Sequence, residues 1–534
     1  MISFLASILL TSAVILLLER QALPRRPRSA PFWRRPLLAV MPVVLFYFTL
    51  LMVSYRPMVS AVVSMTAFFV IIMLNNAKYR ALREPLVFTD FALLKEVIRH
   101  PRLYVDYIGP WRLATLLAVS SAFLVGGLIF EPPLINRREA GDWMPSIVYL
   151  ATVAGLIYAI TRGPLRATFI NLLNRFGPTL RVADDVADLS LLVCLICYFF
   201  LSNAPPPAPE RRKLAIGRRA ILENQPNGRV RKRPPPPDAC IPDSPPDIVV
   251  VQSESFFDAR RLGDAIDPSI LTNFERLKSE ARYYGRLEVP AWGANTMRTE
   301  YAFLSGMPNA ALGYRRFNPY LALQNAPSWS FIHMLRLMGY VCVCIHPFDP
   351  AFFNRDKVFP NLGFYRFIGI DEFDGAERNG PYVSDIALAR KIEEVLDNSV
   401  SPTFVFAITM ENHGRWDPGR FGDEPGPDAA AAAPLGSLAL EYYLRHLRNA
   451  DLSLDKIARY LAARDRPGVM CVYGDHLPSL PNAFREAGFN DTDTDYLVWS
   501  TTPASGIEVD IAAEMLGRMV LDAALDPTGS GRRG

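Results

Sequence analysis

A threonine at the edge of a helix, two carboxylates and three histidines carry the chemistry this sequence can offer. Thr296 lies in residues 291–306, AWGANTMRTEYAFLSG. Pro290, Gly293 and Asn295 keep the start irregular, and Thr299, Glu300, Tyr301, Phe303 and Leu304 read as a helix. A threonine at that junction has two readings. Its hydroxyl can cap the helix by accepting a backbone N–H. Alternatively it is a nucleophile, and then it needs a base or a metal ion, because a free hydroxyl attacks poorly.

The second reading gains weight from the residues at the ends of four apolar runs. Residues 248–252, 340–345, 404–409 and 469–473 are short, β-branched or aromatic, and uninterrupted, as buried strands of a parallel sheet are. Helical patterns at 329–338, 385–396 and 440–463 separate them, so the pattern predicts an α/β domain with a mainly parallel sheet. Ligands of such sheets bind at the carboxyl ends of the strands. There the sequence places Glu254 in SES, His346, Glu411-Asn412-His413, and Gly474-Asp475-His476. The chain has six histidines, and three of them stand at these ends. His333 and His446 fall within helices and read as structural or surface residues.

Glu254, Asp475 and His476, with the Thr296 oxygen as a fourth ligand, form a donor set for one divalent cation. Carboxylate, hydroxyl and imidazole suit manganese first, with zinc or magnesium as alternatives. Such an ion would make the threonine easier to deprotonate. His346, Arg355 and His413 are then candidate donors to a phosphoryl group. The simpler reading of Arg355, in FFNRDKVF, is a pair with Asp356 or a surface carboxylate.

The N-terminal part of the 534-residue chain is different in kind. Apolar runs at 2–18, 37–53, 58–74, 113–130 and 144–160 approach the length of a bilayer span, and 189–201 is shorter. The first lacks a basic start and a cleavage site, so it reads as a membrane helix and not a signal peptide. Loops 19–36, 75–112 and 161–188 are richer in arginine and lysine than the turns between them, which by the positive-inside rule makes them cytoplasmic. About six spans then put both termini outside. The expected organisation is a transmembrane domain over 1–203, a Pro/Arg-rich linker over 204–246, a catalytic domain over 247–510 and a tail over 511–534. The basic run at 211–233 would lie beside the membrane, where it can hold the catalytic domain near anionic headgroups. No GxxxxGK loop speaks for a nucleotide. The basic stretches lack interleaved aromatics, which speaks against nucleic acid. The six cysteines form neither a zinc pattern nor a disulfide framework.

The ordered motifs VVQSESFFD, GANTMRTE, FFNRDKVF, ENHGRW and YGDHLP resemble those of the lipoteichoic acid synthase and phosphoglycerol transferase family. The motifs cover roughly 245–500, and the membrane part is similar in architecture only. The resemblance implies a multi-span membrane domain and an extracytoplasmic sulfatase-like domain of the alkaline phosphatase superfamily. It implies Thr296 as nucleophile, with Glu254, Thr296, Asp475 and His476 as metal ligands. It further implies a phosphoglycerol pocket of His346, Phe353, Arg355 and His413; Phe353 stands where the synthase branch carries tryptophan. The reaction implied moves phosphoglycerol from phosphatidylglycerol through a phosphothreonine to a periplasmic glucan or a polyglycerophosphate, at the outer face of the cytoplasmic (inner) membrane. Phosphoethanolamine transfer is the alternative on the same fold. A sulfatase would need Cys or Ser in a C/S-x-P-x-R setting, which the Thr296 region lacks, and a dead scaffold would have lost at least one ligand.

Overall fold

The computed structural model describes residues 2–25, 33–100, 109–135, 140–202, 212, 244–325, 328–422, 434–504 and 506–525. The chain divides into two compact units, Met1–Pro205 and Pro206–Gly534. Of the expected linker, 204–243 lies outside the described residues apart from 212.

Among the described residues of the first unit four helices are long and apolar enough to cross a membrane: Arg34–Ser54, Pro57–Leu82, Leu113–Phe130 and Met144–Thr161. The apolar helices Ser3–Glu19 and Leu191–Ser202 are shorter. Of the about six spans expected, four are thus of full length among the described residues. Arg35 and Lys78 are ion-paired in this unit. Arg35 bonds Glu19 at 3.1 Å, and Lys78 reaches Glu84 at 2.8 Å and Asp90 at 2.7 Å.

The second unit is built on one sheet and a small ribbon. In chain order the strands are β1 Asp247–Ser253, β2 Tyr283–Glu288, β3 Val341–Ile345, β4 Arg366–Ile368, β5 Arg378–Asn379, β6 Tyr382–Val383, β7 Thr403–Ile408, β8 Gly468–Gly474, β9 Thr494–Ser500, β10 Ile507–Glu508 and β11 Ile511–Ala512. The large sheet runs β10-β2-β9-β8-β1-β7-β3-β4, with β11 also on β2; β5 and β6 form the ribbon. From β8 through β1, β7 and β3 to β4 every pairing is parallel, and β9 is antiparallel to both β8 and β2. The four apolar runs of the sequence are thus β1, β3, β7 and β8, side by side at the centre.

These strands are apolar on both faces because both are covered. Val249 and Val251 face a core with helices Thr272–Glu280, Asp385–Asp397 and Leu438–Ala462. Ile248 and Val250 face a second core with helices Thr296–Ser305, Phe331–Leu337, Arg355–Asn361 and Ala513–Leu525.

The last of these helices corrects an expectation. Residues 511–525 do not form a tail. Ile511 and Ala512 pair with β2, and the helix after them buries Leu516, Val520, Ala523 and Ala524. The apolar spacing at 516, 520, 523 and 524 is that of a helix with one buried face. The helix lies against the Thr296 helix at Gly517. A Cβ there would come within 2.9 Å of the Phe303 carbonyl oxygen and of the Phe331 ring. Gly517→Val should therefore destabilise the domain by about 1–3 kcal/mol through overpacking. Valine is chosen because alanine would offset part of the strain by its helix propensity. Urea unfolding of the variant checks this, and unchanged stability would show that the helix is not packed there.

Candidate active site

Side chains alternate along a strand, so every second residue shares a face. Gln252 follows Ile248 and Val250 in this alternation, and Tyr473 follows Val469 and Cys471. Both series face the core that holds the Thr296 helix. The next member of each series, Glu254 and Asp475, falls just past the strand end on that side. The parallel register pairs Gln252 with Tyr473 and Ser253 with Gly474, so the two acids leave the sheet at the same level.

Glycine at 474 makes their approach possible. A Cβ there would lie 1.9 Å from the Phe256 carbonyl oxygen. The loop after β1 therefore rests directly on the backbone of β8. Ser255, at φ 56°, turns that loop. Its N–H donates to Asp475 Oδ1 at 2.9 Å, and so does the N–H of His476, also at 2.9 Å. Oδ2 of Asp475 is buried and accepts no hydrogen bond.

Glu254, Asp475 and His476 each offer one ligand atom, and these atoms lie within 4.8 Å of one another. His476 Nδ1 stands 3.0 Å from the Leu477 carbonyl, which can only accept, so Nδ1 carries a proton. Nε2 then points at the acids, 3.3 Å from Asp475 Oδ2 and 3.6 Å from Glu254 Oε1. All three residues are buried. Burial raises the proton affinity of Glu254. Burial and the neighbouring Glu254 push Asp475 up to about 6. Burial works against charge on His476, but the two carboxylates outweigh it and raise its pKa. Two acids, a lone pair and an unbonded oxygen in a dry space call for a shared positive charge. A backbone carbonyl fixing the outer nitrogen is the usual arrangement around a metal-binding histidine. The residues present fit a divalent cation.

Thr296 sits beside this cluster. It is the first residue of its helix, and Asn295, at φ 70°, holds the cap position without a side-chain cap. The helix-capping reading of Thr296 is therefore not what the structure has. Its hydroxyl stands near Asp475 and stabilises that carboxylate's charge, short of a regular bond to Oδ2. Thr299, one turn on, donates to the Asp475 carbonyl at 2.7 Å and ties the helix to the site.

Arg355 is not on the surface and does not pair with Asp356. It is 2% exposed and grips Glu300. Its Nε donates to Glu300 Oε2 at 3.2 Å, and Nη2 donates to Oε1. Nη1 donates to His346 Nε2 at 3.3 Å, and His346 Nδ1 donates to the Ile408 carbonyl at 3.1 Å. Burial and the adjacent guanidinium hold His346 well below its ordinary pKa. Phe353 and Asn354, both with φ near 57°, turn the chain into the Arg355 helix, and the guanidinium lies 5.2 Å above the Phe353 ring centre.

His413 lies half-buried, its ring 5.9 Å from that of Tyr382. Nδ1 donates to the Gly414 carbonyl at 2.8 Å, which leaves Nε2 as an acceptor. Loss of water around the ring pushes its pKa down to about 4. Burial thus favours the neutral ring in both His346 and His413, and in each Nδ1 is spent on a backbone carbonyl. Arg420 fixes the His413 loop by donating to the carbonyls of Glu411, His413 and Arg415, and to His446. His446 in turn donates to Glu411, so this helical histidine is structural and buried. The sequence reading missed Gln252, Glu300, Tyr320 and Tyr473. For three of them the signal was spacing: Gln252 and Tyr473 each precede a site acid by two residues, and Glu300 follows Thr296 by four; Tyr320 carries no such signal.

The family model described as Sulfatase matches residues 246–511. Capsular polysaccharide biosynthesis protein RkpI of Rhizobium meliloti strain 1021 is 30% identical over 504 residues, covering 92% of this chain and 87% of that protein. A putative cyclic beta-1,2-glucan modification protein of the same strain is 26% identical over 439 residues, covering 78% of this chain and 63% of that protein. Among solved structures, the integral membrane protein lipooligosaccharide phosphoethanolamine transferase A from Neisseria meningitidis is 14% identical, with a TM-score of 0.50 over 99% of this chain and 97% of that one. That likeness is one of fold.

Apolar helices are followed by an α/β domain with acids and histidines at its strand ends. The chain belongs to the sulfatase family.

The close approach at Gly474 sets the carboxylate spacing, and a methyl group there must push the two loops apart. Gly474→Ala should weaken divalent-cation binding by about 10–100-fold, as other changes behind metal ligands do. Calorimetric titration with manganese checks this. Wild-type affinity would mean that the spacing is set elsewhere.

Proposed function

We infer that the protein transfers phosphoglycerol from phosphatidylglycerol to a glycan outside the cytoplasmic membrane, through a phosphothreonine at Thr296. The observation that carries this reading is the Thr296 hydroxyl at a helix start beside the Glu254–Asp475–His476 cluster. A cation held by these three residues and the threonine oxygen supplies the charge that eases loss of the threonine proton. The motif resemblance supports phosphoglycerol as the group. The glucan-modification name of one relative supports a glycan acceptor over polyglycerophosphate.

The reaction has two displacements. In the first, Thr296 Oγ bonds to phosphorus and the bond from phosphorus to the diacylglycerol oxygen breaks. The threonine proton ends on the diacylglycerol. In the second, an acceptor hydroxyl bonds to phosphorus and the threonine bond breaks. His413 Nε2, neutral and without a proton, takes the acceptor's proton, which ends on Thr296. Arg355 and Phe353 flank the phosphoryl group, and His346 holds Arg355. The orientation with 247–510 outside brings this site to the lipid headgroup, and the basic run at 211–233 keeps it near the anionic surface.

Purified protein with manganese should move label from headgroup-labelled phosphatidylglycerol to glucan and leave labelled phosphatidylethanolamine untouched. Thr296→Ala should lower the rate by about 10⁴-fold or more. Mass spectrometry of acid-trapped wild type should find phosphoglycerol on the peptide bearing Thr296. Transfer from the ethanolamine lipid alone would replace this reading by phosphoethanolamine transfer, and normal turnover by the alanine variant would end the phosphothreonine mechanism.

A further inference from the structure

We propose that Glu300 is a positioning residue, the hub of a buried polar chain that fixes Arg355 relative to Thr296 and the strand-end acids. The proposal rests on the reading of Arg355 as a phosphate-binding group. Thr296 and Glu300 lie one turn apart on one helix. Both Glu300 oxygens are in use. Oε1 accepts from Arg355 Nη2 and from Gln252 Nε2, the latter at 3.2 Å. Oε2 accepts from Arg355 Nε at 3.2 Å and from the Tyr320 hydroxyl at 2.8 Å. Tyr473 donates to Gln252 Oε1 at 2.5 Å. All of these side chains are at most 2% exposed.

The chain Tyr473–Gln252–Glu300–Arg355–His346 thus starts two residues before Asp475, passes two residues before Glu254, and turns through the Thr296 helix. It ends at the residue after β3. The elements that carry Asp475, Glu254, Thr296, Arg355 and His346 each have one member in it, and the segment with His413 has none. A carboxylate held from three sides leaves little freedom to the guanidinium it binds. Arg355 has five N–H groups, and three are committed, one on each nitrogen. One N–H on each terminal nitrogen remains for a ligand. Their direction is set by Glu300 and His346. Phosphate recognition by Arg355 is therefore referenced to the nucleophile through a rigid helix turn.

Removing the charge of Glu300 would mix two effects, because an unpaired Arg355 attracts anions more strongly. Glu300→Asp avoids this by keeping the charge and withdrawing the carboxylate by one methylene. Full-length protein in detergent, loaded with manganese, would be titrated with glycerol phosphate, and turnover measured alongside. The expected result is a loss of glycerol phosphate affinity and of kcat of about 10–100-fold, the cost of a displacement near 1 Å. Manganese affinity should stay within threefold of wild type. Tyr320→Phe removes one bond to Oε2 and should cost about threefold or more in the same affinity. A purely structural role would lower the melting temperature and leave both readouts unchanged in the folded protein. Wild-type affinity and kcat in Glu300→Asp would overturn the proposal, and wild-type affinity in Tyr320→Phe would do so if the aspartate variant does not fold. If wild type binds no glycerol phosphate, the phosphate role of Arg355 falls and the proposal with it. If binding weakens as expected but wild type transfers nothing from phosphatidylglycerol, the proposed reaction falls and the positioning role stands.

Discussion

Two carboxylates and the lone pair of an imidazole repel one another in a dry space unless a positive charge stands among them. Glu254, Asp475 and His476 meet in such a space, and much of the surrounding structure serves to hold them there. Two backbone N–H groups take one oxygen of Asp475 and leave the other bare. The Leu477 carbonyl fixes the proton of His476 on the outer nitrogen, so the inner one faces the acids. Glycine at 474 lets the loop carrying Glu254 lie against the strand carrying Asp475. Ser255 and Asn295 accept positive φ to turn their loops toward the same point. Each of these choices costs stability or conformational freedom when taken alone. Together they give a donor set matched to one cation.

The sheet makes this meeting reproducible. In the parallel register Ser253 and Gly474 are opposite, and both strands stop there. Side-chain alternation then sends Glu254 and Asp475 toward the face that the Thr296 helix covers. His346 continues the alternation of Cys342 and Cys344 on that same face, after a third strand. A one-residue slip of either β1 or β8 would turn its acid to the other core. Apolar residues on both faces of these strands penalise such a slip along their whole length. The positional accuracy of the site is therefore a consequence of core packing well below it.

The central strands are legible in the sequence because their apolar runs are continuous, and the residues after them are legible because ligand sites gather at strand ends. β2, which is only partly covered, mixes charges with aromatics, and that mixture hides it as a strand. β9 is covered on both faces, but its apolar run, 496–499, is short. The closing helix passes for a tail because its buried face lies beyond the expected end of the domain. Thr296 stands at the loop–helix junction that its sequence context predicts, but the cap it could have supplied is not made. The surface-pair reading of Arg355 fails for a simple reason. Sequence shows the neighbouring Asp356, whereas folding supplies Glu300, 55 positions away. Partner choice inside a core depends on which helices share a face, and local sequence does not carry it.

The pairing of Arg355 with Glu300 also bears on how such a site can be selective. An arginine so deeply buried could not stay unpaired without a penalty of about 3–5 kcal/mol. With Glu300 beside it the pair is nearly neutral, so its pull on any passing anion is reduced. What remains are N–H groups of fixed direction, held by a carboxylate on one side and an imidazole on the other. Donors of this kind contribute most where charge appears during reaction, because they need no reorganisation at that moment. Net charge would tighten ground-state binding of substrate and product alike, which does not speed the chemical step. A compensated arginine, held by the helix that carries Thr296, suits the proposed transfer better than mere retention of phosphate.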